Sequence, residues 1–104
     1  MNETKRKRLE KQGWKMGNAD EFLSLSPAET EYIELKIALG RVLSEKRRER
    51  KLTQAEAGDM AGTNQAGFAR MEKGDPSVSI DRIVKSLFAL GCSRDSLARA
   101  LHEG

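Results

Sequence analysis

Residues 52–74 read Leu-Thr-Gln-Ala-Glu-Ala-Gly-Asp-Met-Ala-Gly-Thr-Asn-Gln-Ala-Gly-Phe-Ala-Arg-Met-Glu-Lys-Gly. Thr53 is a good helix N-cap, and Glu56 three residues later completes a capping box, which satisfies two backbone donors at a helix start. Gly62 then ends the helix, because glycine adopts the left-handed conformation without a steric penalty. The stretch therefore predicts a short helix that begins at Gln54 and stops at a tight turn. The apolar stripe of this helix is formed by Ala57, Met60 and Ala61.

A second short helix is predicted directly after the turn. Asn64 is a suitable cap for a helix that runs from Gln65 to Lys73, and Gly74 closes it. Phe68 and Met71 lie three residues apart, so they share one face and are expected to point inward. The residues left on the outward face are Gln65, Ala66, Ala69, Arg70 and Lys73. Residues 52–74 thus predict a helical hairpin with one polar, exposed face.

This stretch resembles the phage-repressor (XRE or Cro-like) helix-turn-helix family, and the resemblance extends from about Leu39 to Leu101. The features that carry it are Leu52-Thr53-Gln54, Gly58, Gly62, Phe68, Met71 and Glu72-Lys73-Gly74. Each is weak alone, but together at these offsets they are specific. The resemblance implies binding to double-stranded DNA and transcriptional repression. It also implies a homodimer that reads two half-sites about one helical turn, roughly 34 Å, apart.

The resemblance also assigns roles to residues by their position in the motif. Gln54 would bind a phosphate, aided by the positive end of its helix. Gln65 suits adenine, and Arg70 suits guanine or a phosphate. Ala66 would touch a thymine methyl, whereas Gly67 has no side chain and leaves more to DNA shape. The two expected contacts with the DNA backbone are Asn64 and Lys73.

One structural ion pair and three departures from the family pattern belong to the same resemblance. Arg47 and Glu72 are expected to pair and to lock the first helix of the domain to the third. Ala57 stands where the family usually has a large aliphatic residue. Gly58 stands where it usually has alanine, which costs about 1 kcal/mol of helix propensity. Lys46 replaces a usual leucine and is expected to be exposed or to point at a phosphate.

The rest of the chain predicts three supporting helices. Ser26-Pro27-Ala28-Glu29 combines an N-cap, a first-turn proline and a capping glutamate, so a long helix should run from Pro27 to about Arg50. Its expected inward residues are Tyr32, Leu35, Leu39, Val42 and Leu43, with Ile33 and Ile37 on an adjoining face. Ser79 caps a helix that ends at Leu90, and Ser93 caps a final helix. Residues expected to cover the motif are Ile80, Ile83, Val84, Leu87 and Phe88, and the final helix carries Leu97 and Leu101, one of the surfaces available for a dimer.

These elements predict an all-α fold: a five-helix, repressor-like helix-turn-helix domain over residues 26–104, preceded by a short N-terminal extension, residues 1–25. The extension carries the basic residues Lys5, Arg6, Lys7, Arg8, Lys11 and Lys15 and the apolar residues Trp14, Phe22 and Leu23. Its apolar residues either fold back on the long helix near Tyr32 or form an arm that binds a partner. The extension also looks like that of HigA-type antitoxins, which implies a toxin protein as a possible partner.

Composition bounds the remaining function classes. A chain of 104 residues suits one domain, and a net charge of only +3 means that any basic surface is local. The basic residues between positions 41 and 51 are Arg41, Lys46, Arg47, Arg48, Arg50 and Lys51. This cluster is either a solvated helix face or a set of phosphate contacts.

No catalytic, metal or cofactor site is predicted. Cys92 is the only cysteine, so no intrachain disulfide forms, and the chain suits a reducing cytoplasm. The only histidine, His102, lies within the last three residues. No nucleophile with a base, carboxylate pair or metal-ligand spacing indicates an enzyme, and no apolar stretch indicates a membrane span. The classes that remain are a repressor, an antitoxin, and a helical module that has lost DNA binding. Burial of Gln65 and Arg70 would favour the last.

Overall fold

The computed structural model describes residues 26–103, which form five α-helices and no strand. The helices are α1 (Pro27–Glu49), α2 (Gln54–Ala61), α3 (Gln65–Lys73), α4 (Ile80–Ala89) and α5 (Arg94–Glu103). The predicted all-α fold of five helices is therefore confirmed. The expectations for Trp14, Phe22, Leu23 and the basic run of the N-terminal extension lie outside the described residues.

The helices begin at the residues that the sequence predicted, and α1 to α4 end at the predicted residue or one residue before it, α1 at Glu49 and α4 at Ala89. The N-cap side chains of α1 to α5 are Ser26, Thr53, Asn64, Ser79 and Ser93, each accepting a backbone N–H from three residues on. At α2 the capping box is complete, because the Thr53 N–H donates to Glu56 Oε1 at 2.8 Å. Gly62 and Gly74 end α2 and α3 with φ of 77° and 64°. Local chemistry thus accounts for the helix boundaries.

α1 is the central element of the fold, because it packs against α3, α4 and α5. The hairpin of α2 and α3 packs on α1 and α4 and completes the core. The buried core residues are Leu39, Val42, Leu43, Ala57, Phe68, Met71, Val78, Ile83, Leu87, Leu90 and Cys92. Phe68 and Met71 hold α3 in place from its inward face, so its other face is left to solvent.

The apolar face of α1 differs from the expected one. Tyr32 and Leu35 are 51% and 43% exposed, whereas Ile33 and Ile37 are buried. The reason is the position of α3, whose C-terminal end contacts α1 around Ile37 and Gly40. Positions 33, 37 and 40 share one stripe of a helix, so this contact buries that stripe and leaves Tyr32 and Leu35 outside it. The inward assignment of Tyr32 and Leu35 was wrong.

Two further apolar residues are more exposed than the sequence suggested, and one lysine is less exposed. Met60 and Phe88 are each 43% exposed, so neither covers the core as expected. Lys36 is only 3% exposed, and its Nζ donates to the Pro76 carbonyl oxygen at 3.2 Å. Lys36 therefore fastens the loop after α3 to α1, a contact between residues forty positions apart that no local pattern indicates.

Glycines allow two close backbone contacts around α3. A Cβ atom on Gly40 would lie 2.6 Å from the Met71 carbonyl oxygen and 2.7 Å from that of Glu72. A Cβ atom on Gly58 would lie 2.9 Å from the Asn64 carbonyl oxygen. Such distances are shorter than the contacts that real Cβ atoms make. Packing therefore explains why position 58 is glycine, although glycine has a low helix propensity.

Candidate DNA-binding face

The N-termini of α2 and α3 meet through two glutamine side chains. Gln54 is the first residue of α2, and Gln65 is the first residue of α3. Gln65 Nε2 donates to Gln54 Oε1 at 2.7 Å, and Gln54 Nε2 donates to Glu72 Oε1 at 2.9 Å. The structure thus brings together the expected phosphate contact and the expected base contact. It also uses both ends of the Gln54 amide within the protein.

Glu72 is itself held by Arg47. Arg47 Nε lies 2.6 Å from Glu72 Oε2, Arg47 Nη2 lies 3.4 Å from Glu72 Oε1, and Arg47 Nη1 donates to the Leu52 carbonyl oxygen at 2.9 Å. The two side chains are 14% and 8% exposed, so the pair is largely shielded from water. A bidentate contact of this kind fixes the geometry of both partners. The result is a continuous chain of polar contacts from Arg47 through Glu72 and Gln54 to Gln65, here named the polar relay.

The outward face of α3 is open to solvent. The exposed residues there are Gln65, Ala66, Arg70 and Lys73, with Gly67 half-buried and the cap residue Asn64 exposed. Asn64 Oδ1 accepts the Gly67 N–H at 2.8 Å, which leaves the Asn64 amide N–H groups for an outside acceptor. Burial of Gln65 and Arg70 would have favoured a module that has lost DNA binding, and both residues are exposed.

Asp75 lies at the end of this face and was not singled out from the sequence. Its Oδ1 accepts the Ser77 hydroxyl at 2.7 Å and the Ser77 N–H at 2.8 Å, and its own N–H donates to the Arg70 carbonyl oxygen at 3.1 Å. The Ser77 hydrogen bonds, and to a smaller extent the charges of Arg70 and Lys36, hold the pKa of Asp75 below its ordinary value. The signal that indicates this turn is the Asp-Pro-Ser sequence after Gly74.

A lowered pKa links Asp75 to the pH dependence of stability. The charged form stabilises the fold above the unfolded pKa of about 3.9, and this stabilisation is lost as the pH falls through the lower folded pKa. Asp75→Asn keeps an oxygen that can accept from Ser77 but removes the charge. We expect the variant to melt below the wild type at pH 6 and the difference to vanish toward pH 2, measured by circular dichroism. A difference in melting temperature that is constant across this range would contradict the electrostatic account.

Most residues of the basic cluster at positions 41–51 make ion pairs or hydrogen bonds with other groups of the protein. The engaged residues are Arg41 with Glu45 (4.0 Å), Lys46 with Glu49 (3.4 Å), Arg47 with Glu72 (2.6 Å) and Arg50 with the Leu90 carbonyl oxygen (2.8 Å). Lys46, expected to be exposed or at a phosphate, is half-buried. Within residues 26–103, the side chains of Arg48 and Lys51 are exposed and make none of these contacts. Those two are the members of the cluster best placed to meet phosphates.

A family model described as a helix-turn-helix domain matches residues 21–95, which is more than half of the chain. The chain belongs to the helix-turn-helix domain family. The match includes α1 to α4 and the first residues of α5, so every residue of the candidate face lies within it. Helix-turn-helix domains place their second motif helix in the DNA major groove, and α3 is that helix here. A search of curated proteins found no match. In the part of the chain that the structure describes, no helix is long and apolar enough to cross a membrane.

Proposed function

We propose that this helix-turn-helix domain is a sequence-specific transcriptional repressor that reads double-stranded DNA with α3. The observation that carries the proposal is the exposed face of α3, on which Gln65 is held by the polar relay while Arg70 and Lys73 stay open to solvent. A side chain fixed in one geometry suits bidentate bonding to a base edge. In this proposed role the protein has no catalytic function and acts in the cytoplasm, a reducing compartment that suits its single cysteine.

The contacts divide into base reading and positioning. Gln65, Ala66 and Arg70 face the bases, while Gly67 contributes no side chain and leaves room for readout of DNA shape. Phosphate contacts come from the N-terminal end of α2, whose helix dipole favours an anion. The phosphate contacts proposed from side chains are those of Asn64, Lys73, Arg48 and Lys51. Gln54 lies at that end of α2, and it also orients Gln65.

The proposed active form is a homodimer. One α3 spans only a few base pairs, so two copies are needed to read a site of useful length. Two recognition helices about 34 Å apart would enter successive major grooves on one side of the DNA.

The proposal is tested with a duplex selected by the protein from a random DNA library, compared with an unselected duplex. Gln65→Ala and Arg70→Ala are each expected to weaken binding to the selected duplex by about 1–3 kcal/mol and to change binding to the unselected one little. Binding is measured by fluorescence anisotropy at one salt concentration. Lys85→Ala is the matched control for lost positive charge, since Lys85 is exposed on α4 and pairs with Asp81 at 3.1 Å. Equal losses on both duplexes would make Arg70 a phosphate contact.

Gln54 needs a separate test because it touches Gln65. If Gln54 acts by orienting Gln65, the Gln54→Ala and Gln65→Ala double variant should bind the selected duplex no worse than Gln65→Ala alone. If Gln54 binds a phosphate independently, its loss should add to that of Gln65 and appear on both duplexes. The two outcomes separate positioning from direct contact.

An antitoxin that also regulates its own operon is the second candidate. It shares the DNA mechanism, and the observation that favours it is the exposed apolar pair Tyr32 and Leu35 on α1, a surface that DNA reading by α3 does not need. A toxin gene beside this one, and a toxin product that co-purifies with the protein, would distinguish an antitoxin from a simple repressor.

A further inference from the structure

The carboxylate of Glu72 sets the direction of the hydrogen bonds in the polar relay. It accepts from Arg47 Nε at 2.6 Å and from Gln54 Nε2 at 2.9 Å. A carboxylate paired with a guanidinium accepts hydrogen bonds and donates none. The Gln54 amide nitrogen therefore has to face Glu72, because the amide oxygen in that place would set two acceptors against each other. The charge of Glu72 thus determines which way the Gln54 amide points.

The same constraint passes on to Gln65. With its nitrogen at Glu72, Gln54 presents Oε1 to Gln65 and accepts Gln65 Nε2 at 2.7 Å. Gln65 has to turn its nitrogen toward Gln54, so its own Oε1 lies on the other side of the amide. Within residues 26–103 the exposed Gln65 side chain makes no second hydrogen bond. Its remaining N–H and its oxygen are both available, and their order is fixed.

The order of donor and acceptor matters in the DNA major groove. Adenine presents an acceptor, N7, beside a donor, N6–H, whereas guanine presents two acceptors, N7 and O6. An amide that can turn over offers its N–H and its oxygen in either order, but an amide fixed at one end offers only one order. One N–H beside one oxygen is the pattern that pairs with adenine.

We propose that Glu72, a residue of the buried ion pair, determines which base Gln65 reads. It fixes the order of donor and acceptor on the Gln65 amide through Gln54, and the base selected is adenine. The side chain of Glu72 is only 8% exposed, so it acts on specificity as a positioning residue. This inference rests on the proposed reading of DNA by α3, and it gives the Arg47–Glu72 pair a second role besides joining α1 to α3.

The experiment first locates the base pair that Gln65 reads. Each base pair of the duplex selected by the wild type is replaced in turn by the other three, and binding is measured by fluorescence anisotropy. The position read by Gln65 is the one at which Gln65→Ala removes the discrimination. There the wild type is expected to prefer adenine by about tenfold or more.

Gln54→Lys tests the direction of the relay, because an ammonium group donates hydrogen bonds and accepts none. It can donate both to Glu72 and to Gln65 Oε1, so the Gln65 amide has to turn over. We expect the ratio of dissociation constants that favours adenine at this position to fall to about one or to favour another base. Gln54→Arg also only donates, and it replaces the lysine variant if that variant loses helix content by circular dichroism.

Two controls separate hydrogen-bond direction from charge and from residue identity. Ala98→Lys adds the same positive charge at an exposed position on α5 and should leave the base preference unchanged. Gln54→Glu combined with Glu72→Gln keeps the net charge and restores an acceptor at position 54. Its overall affinity is expected to differ from that of the wild type, because a carboxylate has moved, but adenine should remain the preferred base.

The outcomes distinguish this inference from the proposed function. A wild type that binds selected and random duplexes equally would overturn both. A selective wild type whose adenine preference persists in a folded Gln54→Lys or Gln54→Arg variant would overturn only the role of Glu72. Loss of the preference in the exchanged double variant would also overturn it, since an acceptor then faces Gln65 as before.

Discussion

Replacing Glu72 with alanine is expected to lower the free energy of unfolding by about 3 kcal/mol, the lower end of the range for removing one partner of a buried ion pair. The reason is that Arg47, 14% exposed, would keep a charge in a largely dry site with no carboxylate to meet it. The lower end applies because neither side chain is completely buried. Equilibrium urea unfolding, followed by circular dichroism, measures the change.

The control for this prediction is Glu49→Ala. Glu49 pairs with Lys46 at 3.4 Å within α1, and its side chain is 64% exposed, so its loss should cost well under about 1 kcal/mol. A Glu72→Ala effect as small as that of Glu49→Ala would show that the Arg47–Glu72 contact does not lock α1 to α3. Replacing both Arg47 and Glu72 with methionine should recover much of the loss, because no charge is then left unpaired.

Replacing Gly40 with alanine is expected to destabilise the protein by about 3 kcal/mol, the upper part of the usual range for overpacking. Alanine favours a helix over glycine by about 1 kcal/mol, so propensity alone predicts the opposite sign. The steric term is larger, because the new Cβ would lie 2.6 Å from the Met71 carbonyl oxygen and 2.7 Å from that of Glu72. These are backbone atoms, which cannot rotate away, so α1 and α3 would have to separate.

Gly67→Ala is the matched control, since Gly67 also lies inside a helix. Its new Cβ would meet the Thr63 hydroxyl oxygen, a side-chain atom that can rotate away. We expect a change in stability between zero and a gain of about 1 kcal/mol. Thermal and urea unfolding of both variants measures the contrast. A Gly40→Ala variant as stable as the wild type would mean that α1 and α3 can separate at little cost.

Local signals were sufficient for much of this fold. Each cap, from Ser26 to Ser93, satisfies a donor three residues away, and the turn glycines need a left-handed backbone wherever the chain is placed. Such features depend only on near neighbours, so the sequence reveals them. The exposure of Gln65 and Arg70 could also be predicted from the sequence, because Phe68 and Met71 define the inward face of α3.

Other features depend on how the helices pack together. The sequence could not show that Ile33 and Ile37, rather than Tyr32 and Leu35, face the core, because both pairs fit a helical stripe. The contact of α3 with α1 at Gly40 determines which pair is buried. The contact of Lys36 with the Pro76 carbonyl oxygen and the bond between Gln54 and Gln65 likewise join distant positions. Each side chain alone was compatible with a solvent-exposed role.

The polar relay has an entropic consequence for recognition. A glutamine side chain that becomes fixed loses up to about 2 kcal/mol of rotamer freedom. In this protein the bond from Gln65 to Gln54, backed by Glu72 and Arg47, restricts that freedom when the chain folds. In the proposed complex, Gln65 would enter binding already ordered, so less conformational entropy would be lost at the DNA. Specificity at this position would then depend on the stability of the domain as well as on the proposed contact with the base.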